Sequence, residues 1–398
     1  MRPKIYFHLT LQLLIGFTLI ACENPSQNKT DETTTAPKIV SVKWTEIIET
    51  SVANSVIQKN ISNFPSTNLG NSRTLRLLLP YYYDSAFVKI KLDIEIDSSS
   101  TGISEIYYAI DKVGFQKLPA NKTVSFPTGN HTLSIYAINV NQEKSDIFTS
   151  GDFNINSNYK VLYANDGQDF SALNFKTILA NLYGSNSIEK IIVVGIDATG
   201  NRLNEYGTID SSGNSVICFS SAGQIGNKAK EYTKFVTDEV MPYINQNYRI
   251  KSGAENTAFM GTSLGGLSAF NIAWMKPNLF GKVGAFSGSF WWRGNSGSNP
   301  TGEQINQARI MHKLVRDSTK RNGMTFWFEA GTNDETDDRD GDGIIDAIDD
   351  TKDLMKELSM LGYSENQDFV YVQIQGGQHN QQTWSQVLDD FLIWGFGK

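Results

Sequence analysis

The sequence predicts an α/β fold, in which helices flank a mostly parallel sheet, and an antiparallel β module that interrupts this fold. From about residue 159 onward, short apolar runs alternate with amphipathic stretches. Such alternation is typical of parallel strands joined by helices. Residues 85–156 differ, because apolar and polar residues alternate there with a period of two. That pattern, with turn-forming residues between the runs, is typical of antiparallel strands.

The composition is that of a globular protein and excludes several function classes. The 398 residues are 40% hydrophobic and 19% charged, which is too apolar for a disordered chain. The net charge of −7 argues against a general affinity for nucleic acid, whose phosphates repel an acidic protein. Two cysteines exclude a disulfide scaffold and any multi-cysteine metal site. Four histidines leave few candidates for imidazole chemistry.

The N-terminus has the pattern of an export signal. Residues 1–21 contain two basic residues and then an apolar run that is too short and too interrupted for a membrane span. The run ends in Leu-Ile-Ala before Cys22, which resembles the lipobox of bacterial lipoproteins. That resemblance implies a diacylglyceryl group on Cys22 and a bacterial membrane lipoprotein at the outer membrane or cell surface, or facing the periplasm. Residues 22–37 are polar, lack periodicity and are predicted to be a linker.

Five apolar runs in the C-terminal part are predicted to be strands of the parallel sheet. A continuous apolar run is expected where a strand is buried on both faces of a sheet. The runs are residues 160–164, 191–196, 258–260, 325–330 and 369–374. Between them, residues 231–247 have the apolar spacing of an amphipathic helix.

The module at residues 85–156 is predicted to be an antiparallel sandwich of the immunoglobulin-like type. Residues 88–96 alternate aliphatic with charged side chains, and residues 132–139 repeat the alternation. Ser, Thr, Gly, Pro and Asn clusters at 98–102 and 127–130 separate these runs. Short strands at such spacing favour a sandwich.

A single G-x-S-x-G motif carries the predicted nucleophile. Gly261 lies two residues before Ser263, and Gly265 lies two residues after it. The motif follows a predicted strand and precedes a predicted helix. This is the context of a nucleophile elbow, where glycines permit a tight turn that exposes the serine hydroxyl above the sheet. The alternative is a glycine-rich helix start without chemistry.

A serine hydroxyl needs a base that takes its proton and an acid that orients the base. After this motif the triad order is serine, acid, histidine, and only His312 and His379 follow Ser263. His312 lies within a helical pattern, whereas His379 follows a predicted strand at the edge where active sites of such sheets lie. His379 is therefore the predicted base.

Three carboxylates compete for the role of the acid. Asp334 is the first carboxylate after the strand at 325–330, and Glu335 and Asp337 follow it closely. The acid of this fold normally sits directly after its strand, which favours Asp334.

Two backbone N–H groups are predicted to form the oxyanion hole. Leu264, directly after the nucleophile, supplies the first. The second is expected in the loop after the strand at 160–164, where Gln168 is favoured over its neighbour Asp169.

An acidic segment matches the spacing of a twelve-residue calcium loop. Acids occupy positions 1, 3, 5, 9 and 12, glycine occupies position 6, and a backbone carbonyl would be the ligand at position 7. The predicted ligands are Asp338, Asp340, Asp342, Ile344, Asp346 and Asp349. Asp349 stands where the EF-hand has glutamate, which shortens its reach. The alternative is a solvated acidic loop, and any calcium ion would be structural, so no catalytic cofactor is expected.

Two adjacent tryptophans, Trp291 and Trp292, are candidates to line a substrate groove. Core packing is the alternative, because neighbouring residues of an extended chain point in opposite directions.

Several segments between residues 159 and 398 match, in the same order along the chain, those of a branch of the α/β-hydrolases, and the sequence therefore resembles the putative esterases. This branch includes enterochelin-type siderophore esterases, feruloyl and acetyl-xylan esterases, and esterase D relatives. The segments that carry the resemblance, besides the elbow, are 163–168, 194–197, Arg202 with 205–206, 243–249, 286–290, 331–334 and 376–379.

The resemblance implies a domain organisation and an activity. Residues 38–84 and 157–398 would form one split α/β-hydrolase domain, with 85–156 inserted into it. The implied function is a serine carboxylesterase that acts on carbohydrate-linked acetyl or feruloyl esters. A siderophore esterase and a non-catalytic lipoprotein that binds glycan or siderophore are the alternatives.

Overall fold

A computed structural model describes residues 36–46, 55–80, 83, 87–100, 102–127, 129–155, 158–220, 223–295, 300–339 and 341–398. The chain forms two compact units. One comprises the described residues of 1–49 and 84–157, and the other those of 50–83 and 158–398. The proposed lipidation site, Cys22, lies outside the described residues.

The described strands of the first 155 residues vary in length from two to eleven residues. In chain order they are β1 (Ile39–Glu46), β2 (Val56–Ser66), β3 (Asn71–Pro80), β4 (Phe87–Ile96), β5 (Ile103–Ile110), β6 (Val113–Lys117), β7 (Thr123–Pro127), β8 (Gly129–His131), β9 (Leu133–Asn139), β10 (Phe148–Thr149) and β11 (Phe153–Ile155).

The remaining strands belong to the C-terminal part. They are β12 (Lys160–Asn165), β13 (Ile191–Ile196), β14 (Thr208–Ile209), β15 (Ser215–Val216), β16 (Cys218–Ser220), β17 (Gly223–Ile225), β18 (Thr257–Thr262), β19 (Lys282–Phe286), β20 (Thr325–Asn333) and β21 (Phe369–Gln378).

Helices follow most strands of the second unit. They are α1 (Phe175–Gly184), α2 (Arg202–Glu205), α3 (Ala229–Lys234), α4 (Met241–Asn247), α5 (Leu264–Met275), α6 (Gly302–Gln307), α7 (Ile310–Arg316), α8 (Asp346–Met360), α9 (Gln381–Trp384) and α10 (Leu388–Phe396). A π-helical segment, Phe235–Val240, joins α3 to α4, so the predicted helix at 231–247 is one continuous helical stretch.

Within the described residues, eight strands form the main sheet in the order β2-β3-β13-β12-β18-β19-β20-β21. Six strands of this sheet, β13, β12, β18, β19, β20 and β21, are mutually parallel. At one edge, β3 pairs antiparallel with β13, and β2 pairs antiparallel with β3. The sheet is therefore mixed but mostly parallel, as the sequence predicts. Its parallel strands all end at the same edge, where the loops that carry function are expected.

The central strands of the main sheet are buried on both faces, which explains their continuous apolar runs. Val161 and Tyr163 of β12 face one apolar cluster, and Leu162 and Ala164 face the other. All six residues of β13 are buried, as are all six of β18. Helices cover both faces, so alternation of polar and apolar residues is absent from these strands.

The first unit consists of antiparallel sheets. One has the order β1-β4-β7, and another has the order β10-β9-β5-β6. Ile90 and Phe126 of the first sheet share a core with Leu133 and Ile135 of the second. The period-two pattern of the sequence thus corresponds to strands with one buried face. Assignment to the immunoglobulin-like type stays a prediction.

The placement of β1 differs from the predicted domain boundary at residue 38. Trp44 pairs with Leu92, and Val42 pairs with Ile94, so β1 lies beside β4 in the first unit and not in the α/β unit. Val42 contributes to the core of that unit, and burial of this side chain favours the pairing. Among the described residues, no helix has the length and apolar character needed to cross a membrane.

Candidate active site

Ser263 occupies a strained turn between β18 and α5. Its backbone torsions are φ 56° and ψ −128°, a region that residues with a Cβ rarely adopt. The flanking glycines make the turn possible, because a Cβ on Gly261 would lie 2.2 Å from the Gly265 carbonyl oxygen, and one on Gly265 would lie 2.8 Å from Asp166. The predicted elbow is therefore present as a strand, a strained serine and a helix.

Sheet order brings the other predicted catalytic side chains to the same edge as Ser263. Asp334 directly follows β20, and His379 directly follows β21, and these two strands are neighbours. The strand of the elbow, β18, is separated from β20 only by β19.

Asp334 and His379 are in direct contact. His379 Nδ1 lies 2.6 Å from Asp334 Oδ1, and the Asp334 side chain is fully buried, whereas that of His379 is 29% exposed. Asp334 also accepts a hydrogen bond from the backbone N–H of Gly331, at 3.4 Å. Among the competing carboxylates, Asp337 is exposed and Glu335 is half-buried. Geometry thus favours Asp334 as the partner of His379.

The environment of His379 favours its protonated form. Burial lowers the pKa of the imidazole, but the hydrogen bond that Nδ1 donates to Asp334 and the charge of this carboxylate outweigh burial, so the pKa is raised. Burial also raises the pKa of Glu335, which weakens this residue as a competing anion.

The Ser263 hydroxyl lies beside a second serine. Ser263 Oγ is 3.5 Å from Ser289 Oγ, and the backbone N–H of Ser289 donates to the Ser263 carbonyl oxygen at 3.2 Å. The N–H of Ser263 itself donates to Phe286 on β19. Sequence reasoning gave Ser289 no role, although it lies within the segment 286–290 that carries the family resemblance.

The predicted oxyanion donors lie at two helix starts. Leu264 is the first residue of α5, so its N–H has no acceptor within the helix. Gln168 is the second residue of a 3₁₀ turn, Gly167–Phe170, and its N–H is likewise without an acceptor in that turn. The Gln168 side chain accepts from the N–H of Ala198 at 2.8 Å and donates to Asp166 at 3.0 Å, which holds the turn in place.

An ion pair ties the loop after β12 to the elbow. Arg202 donates to both carboxylate oxygens of Asp166, at 2.9 and 2.8 Å, and to the carbonyl oxygen of Thr262, at 3.5 Å. The Asn165 side chain also donates to the Gly265 carbonyl oxygen at 2.8 Å. The two loops that carry the predicted oxyanion donors are therefore fixed to each other.

The alternative oxyanion residue, Asp169, makes a different contact. Its carboxylate accepts a hydrogen bond at 3.1 Å from Gln381, two residues after His379. The loop after β12 thus reaches the segment that carries the histidine.

The prediction that both tryptophans line a groove is wrong for Trp292. Its side chain is fully buried, and a Cβ on Gly226 would lie 2.4 Å from its indole ring. Trp292 is therefore a core residue. Its ring centroid lies 6.0 Å from that of Trp291, so the two neighbours do not point in opposite directions as they would in extended chain. Trp291 is half-buried against the same core and keeps an accessible surface.

His312 is a packing residue, as its helical position suggests. It is 1% exposed, and its Nε2 lies 2.8 Å from the carbonyl oxygen of Asp350. Burial lowers its pKa to about 3, so the imidazole is neutral at physiological pH.

The acidic loop is organised by contacts within itself. Asp338 accepts from the N–H groups of Gly341 and Gly343 at 2.8 and 3.0 Å. Asp346 accepts from the Arg339 N–H at 2.9 Å. Of the predicted ligands, Asp340 lies outside the described residues. Among the described residues, no group of three or more His, Cys, Asp or Glu side chains has the geometry of a metal site.

Asp346 and Asp349 do not belong to an open loop. Both lie in the first turn of α8, which begins at Asp346, and the Arg339 guanidinium lies 3.6 Å from Asp346 and 2.5 Å from Asp350. A cation in the loop would have to share Asp346 with this arginine.

Comparison with known proteins identifies the family. The family described as Putative esterase matches residues 150–394. The uncharacterized protein YbbA of Bacillus subtilis is 24% identical over 241 residues, which is 60% of this chain and 86% of that protein. A solved ferulic acid esterase has the same fold, with a TM-score of 0.51 at 16% identity, over 86% of this chain and 98% of that one.

A shorter match involves an enzyme of polysaccharide degradation. The endo-1,4-beta-xylanase/feruloyl esterase of Xylanibacter ruminicola is 37% identical over 67 residues, which is 17% of this chain and 9% of that protein. The family match covers more than half of the chain and includes every strand from β12 to β21. The chain belongs to the Putative esterase family and is a hydrolase of carboxylic esters.

Proposed function

We propose that the chain is a serine carboxylesterase in which Ser263 is the nucleophile, His379 the general base and Asp334 the residue that orients the base. The 2.6 Å contact between His379 Nδ1 and Asp334 Oδ1 carries this proposal. Together with the strained serine at the end of β18, which β19 separates from β20, it supplies the three residue types that acyl transfer requires.

The reaction proceeds through an acyl-enzyme. His379 Nε2 takes the proton of Ser263 as Oγ attacks the ester carbonyl carbon, and the N–H groups of Leu264 and Gln168 stabilise the oxyanion. The C–O bond to the alcohol then breaks, and the alcohol leaves with the proton from His379. A water molecule attacks the acyl-enzyme by the same steps in reverse, which releases the acid and regenerates Ser263.

The raised pKa of His379 fits this cycle. Asp334 stabilises the imidazolium that forms when Ser263 gives up its proton, and its contact with Nδ1 leaves Nε2 as the nitrogen that acts as the base.

The substrates are carbohydrate-linked acetyl or feruloyl esters under this proposal. The match to the xylanase/feruloyl esterase of Xylanibacter ruminicola supports this class. Trp291, half-buried near the end of β19, offers an aromatic surface for an acyl group or a sugar ring. A panel of acetylated xylan, feruloylated xylan and ferric enterobactin checks the class. Faster cleavage of the siderophore than of both xylans would favour a siderophore esterase.

The nucleophile is tested by Ser263→Ala against a matched serine variant. We expect Ser263→Ala to abolish hydrolysis of p-nitrophenyl acetate, while Ser252→Ala, at an exposed serine before β18, stays within twofold of the unchanged protein. Both variants should keep the circular dichroism spectrum. Undiminished hydrolysis by folded Ser263→Ala would contradict the proposal and revive a binding function.

Further parts of the proposal concern location and the acidic loop. Lipidation of Cys22 would anchor the enzyme to a bacterial membrane, at the cell surface or facing the periplasm, and residues 85–156 would form an immunoglobulin-like module. Detergent partitioning of the full chain and of Cys22→Ser checks the anchor, because the loss of a diacylglyceryl group moves the protein to the aqueous phase.

At the acidic loop, Asp338 and Asp342 would hold a structural calcium ion without taking part in catalysis.

A further inference from the structure

A buried carboxyl group next to the catalytic centre has no part in the reaction as described so far. Glu329 lies on β20, five residues before Asp334, and is fully buried. Within the described part of the chain, its Oε1 has no hydrogen-bond partner. Burial, with a further contribution from Asp334, raises the pKa of Glu329 to about 8. This side chain is therefore mostly neutral at pH 7.

Glu329 is linked to the segment after β19. Ser287 Oγ lies 3.4 Å from Glu329 Oε2, and the backbone N–H of Ser287 donates to the Glu329 carbonyl oxygen at 2.8 Å. Ser287 has φ 46°, a left-handed conformation that serine rarely adopts. The hydrogen bond from the Ser287 N–H to β20 holds the backbone in this conformation, and the contact with Glu329 holds the hydroxyl.

The Ser287 hydroxyl in turn fixes a tryptophan beside the histidine. Trp384 Nε1 donates to Ser287 Oγ at 2.8 Å, in a buried position. The Trp384 ring packs edge-to-face on the His379 ring, with centroids 5.2 Å apart and planes at 82°. His379 thus contacts Asp334 at one ring nitrogen and Trp384 on its ring.

We propose that Glu329, Ser287 and Trp384 are positioning residues that hold the His379 imidazole in the orientation needed for proton transfer. The proposal rests on the proposed role of His379 as the base. The contact with Asp334 fixes one ring atom but leaves the ring free to swing about that atom. The Trp384 ring removes this freedom only while its own indole N–H is held by Ser287.

The arrangement also explains why a carboxyl group is tolerated beside the acid. The charged or titratable groups around Glu329 are Asp334 after the same strand and Tyr371 on the neighbouring β21. The hydroxyl of Ser287, the residue after β19, also faces it. None of these is a cation, so an ionised Glu329 would be an unpaired buried anion close to Asp334. As a neutral group it accepts the Ser287 hydrogen bond without adding a second charge beside His379.

The hydrogen bond from Trp384 to Ser287 is tested by a double-mutant cycle. Trp384→Phe keeps a ring against His379 but removes the indole N–H, and Ser287→Ala removes its acceptor. Each should lower kcat about tenfold, which corresponds to one buried hydrogen bond, with KM changed less than twofold. The double variant should be no worse than either single variant, because both break the same link. Trp394→Phe, on α10, is the matched control and should stay within twofold.

A spectroscopic readout separates positioning from a general loss of stability. The imidazole pKa of His379, measured by NMR and assigned by its absence in His379→Gln, should shift in Trp384→Phe and in Ser287→Ala. Trp394→Phe should leave it unchanged. Glu329→Ala should lower kcat about tenfold, and Glu329→Gln should restore most of that loss, because the amide oxygen can accept the same hydrogen bond.

These measurements stay interpretable if the proposed function fails. The NMR titration needs no turnover, whereas the activity of Ser263→Ala reports on the nucleophile alone. An unchanged kcat and an unchanged His379 pKa in Trp384→Phe would overturn the positioning proposal. Losses that multiply in the double variant would overturn the link between Trp384 and Ser287.

Discussion

Two acidic segments follow β20, and they differ in what their carboxylates contact. Asp334 is buried and lies 2.6 Å from His379, a residue 45 positions later in the chain. Asp338, Asp342 and Asp346 instead accept hydrogen bonds from backbone N–H groups of their own segment, those of Gly341, Ile344 and Arg339. The position of Asp334 is therefore determined by the sheet, and the positions of the aspartates after it are determined by local turns.

The difference shows which kind of sequence pattern specifies a site. The position of Asp334 follows from two strands that must lie side by side, so the end of each strand is placed by the fold. A calcium-loop spacing contains no such constraint, because aspartate and glycine at these positions also form ordinary turns. The turn around Asp338 is of that kind, because its carboxylate accepts hydrogen bonds from the N–H groups of Gly341 and Gly343.

The largest expected effect concerns the first segment. Asp334→Asn should lower kcat about 10³- to 10⁴-fold, because the amide can leave His379 in the wrong tautomer. Asp337→Asn, at the exposed competitor, should stay within twofold. Steady-state hydrolysis of p-nitrophenyl acetate by both variants checks the assignment. Comparable losses in the two variants would remove the distinction between the segments.

The pH profile gives the next largest effect. The base must be neutral, and its pKa lies above the usual 6.5, so kcat/KM should rise with pH through a midpoint above 6.5. Without the charge of Asp334, the imidazolium is less stable and the midpoint should fall. The residual activity of Asp334→Asn, followed from pH 5 to 9, measures this shift. A midpoint that stays in place would mean that Asp334 does not set the pKa of His379.

A smaller effect is expected from the arginine that organises the second segment. Arg339→Ala removes the 2.5 Å contact between this arginine and buried Asp350. Asp350 would still pair with Arg309. We expect a loss of about 2 kcal/mol in the free energy of unfolding, less than for a fully orphaned buried charge. Urea unfolding measures the loss. Activity per folded molecule should stay within twofold, and a large fall in kcat would show that this segment reaches the catalytic centre.

Calcium should have the smallest effect. If Asp338 and Asp342 hold the ion, calcium at about ten times its Kd stabilises the fold by about 1.4 kcal/mol, without a change in kcat. A melting curve with calcium and with chelator measures this, and Asp338→Asn should abolish the shift. Equal melting temperatures in the unmodified chain would contradict calcium binding at the loop.

Much of the α/β unit could be predicted because its signals are local. The apolar run at 191–196 is β13, and the runs at 325–330 and 369–374 lie in β20 and β21, which end directly before Asp334 and His379. The partner sheet of β1 could not be read from the sequence, because an alternating strand carries no mark of the sheet it joins. The burial of Trp292 and the contact between Trp384 and Ser287 depend on side chains that meet only after folding.

The most direct test is covalent labelling of Ser263. A fluorophosphonate reacts with a serine only when a base activates it, so peptide mass spectrometry locates the activated hydroxyl without knowledge of the substrate. We expect the unmodified chain to be labelled at Ser263, His379→Gln to be labelled far more slowly, and Ser263→Ala not to be labelled. Labelling at another serine, or equal labelling of His379→Gln, would contradict the assignment of Ser263 and His379 as nucleophile and base.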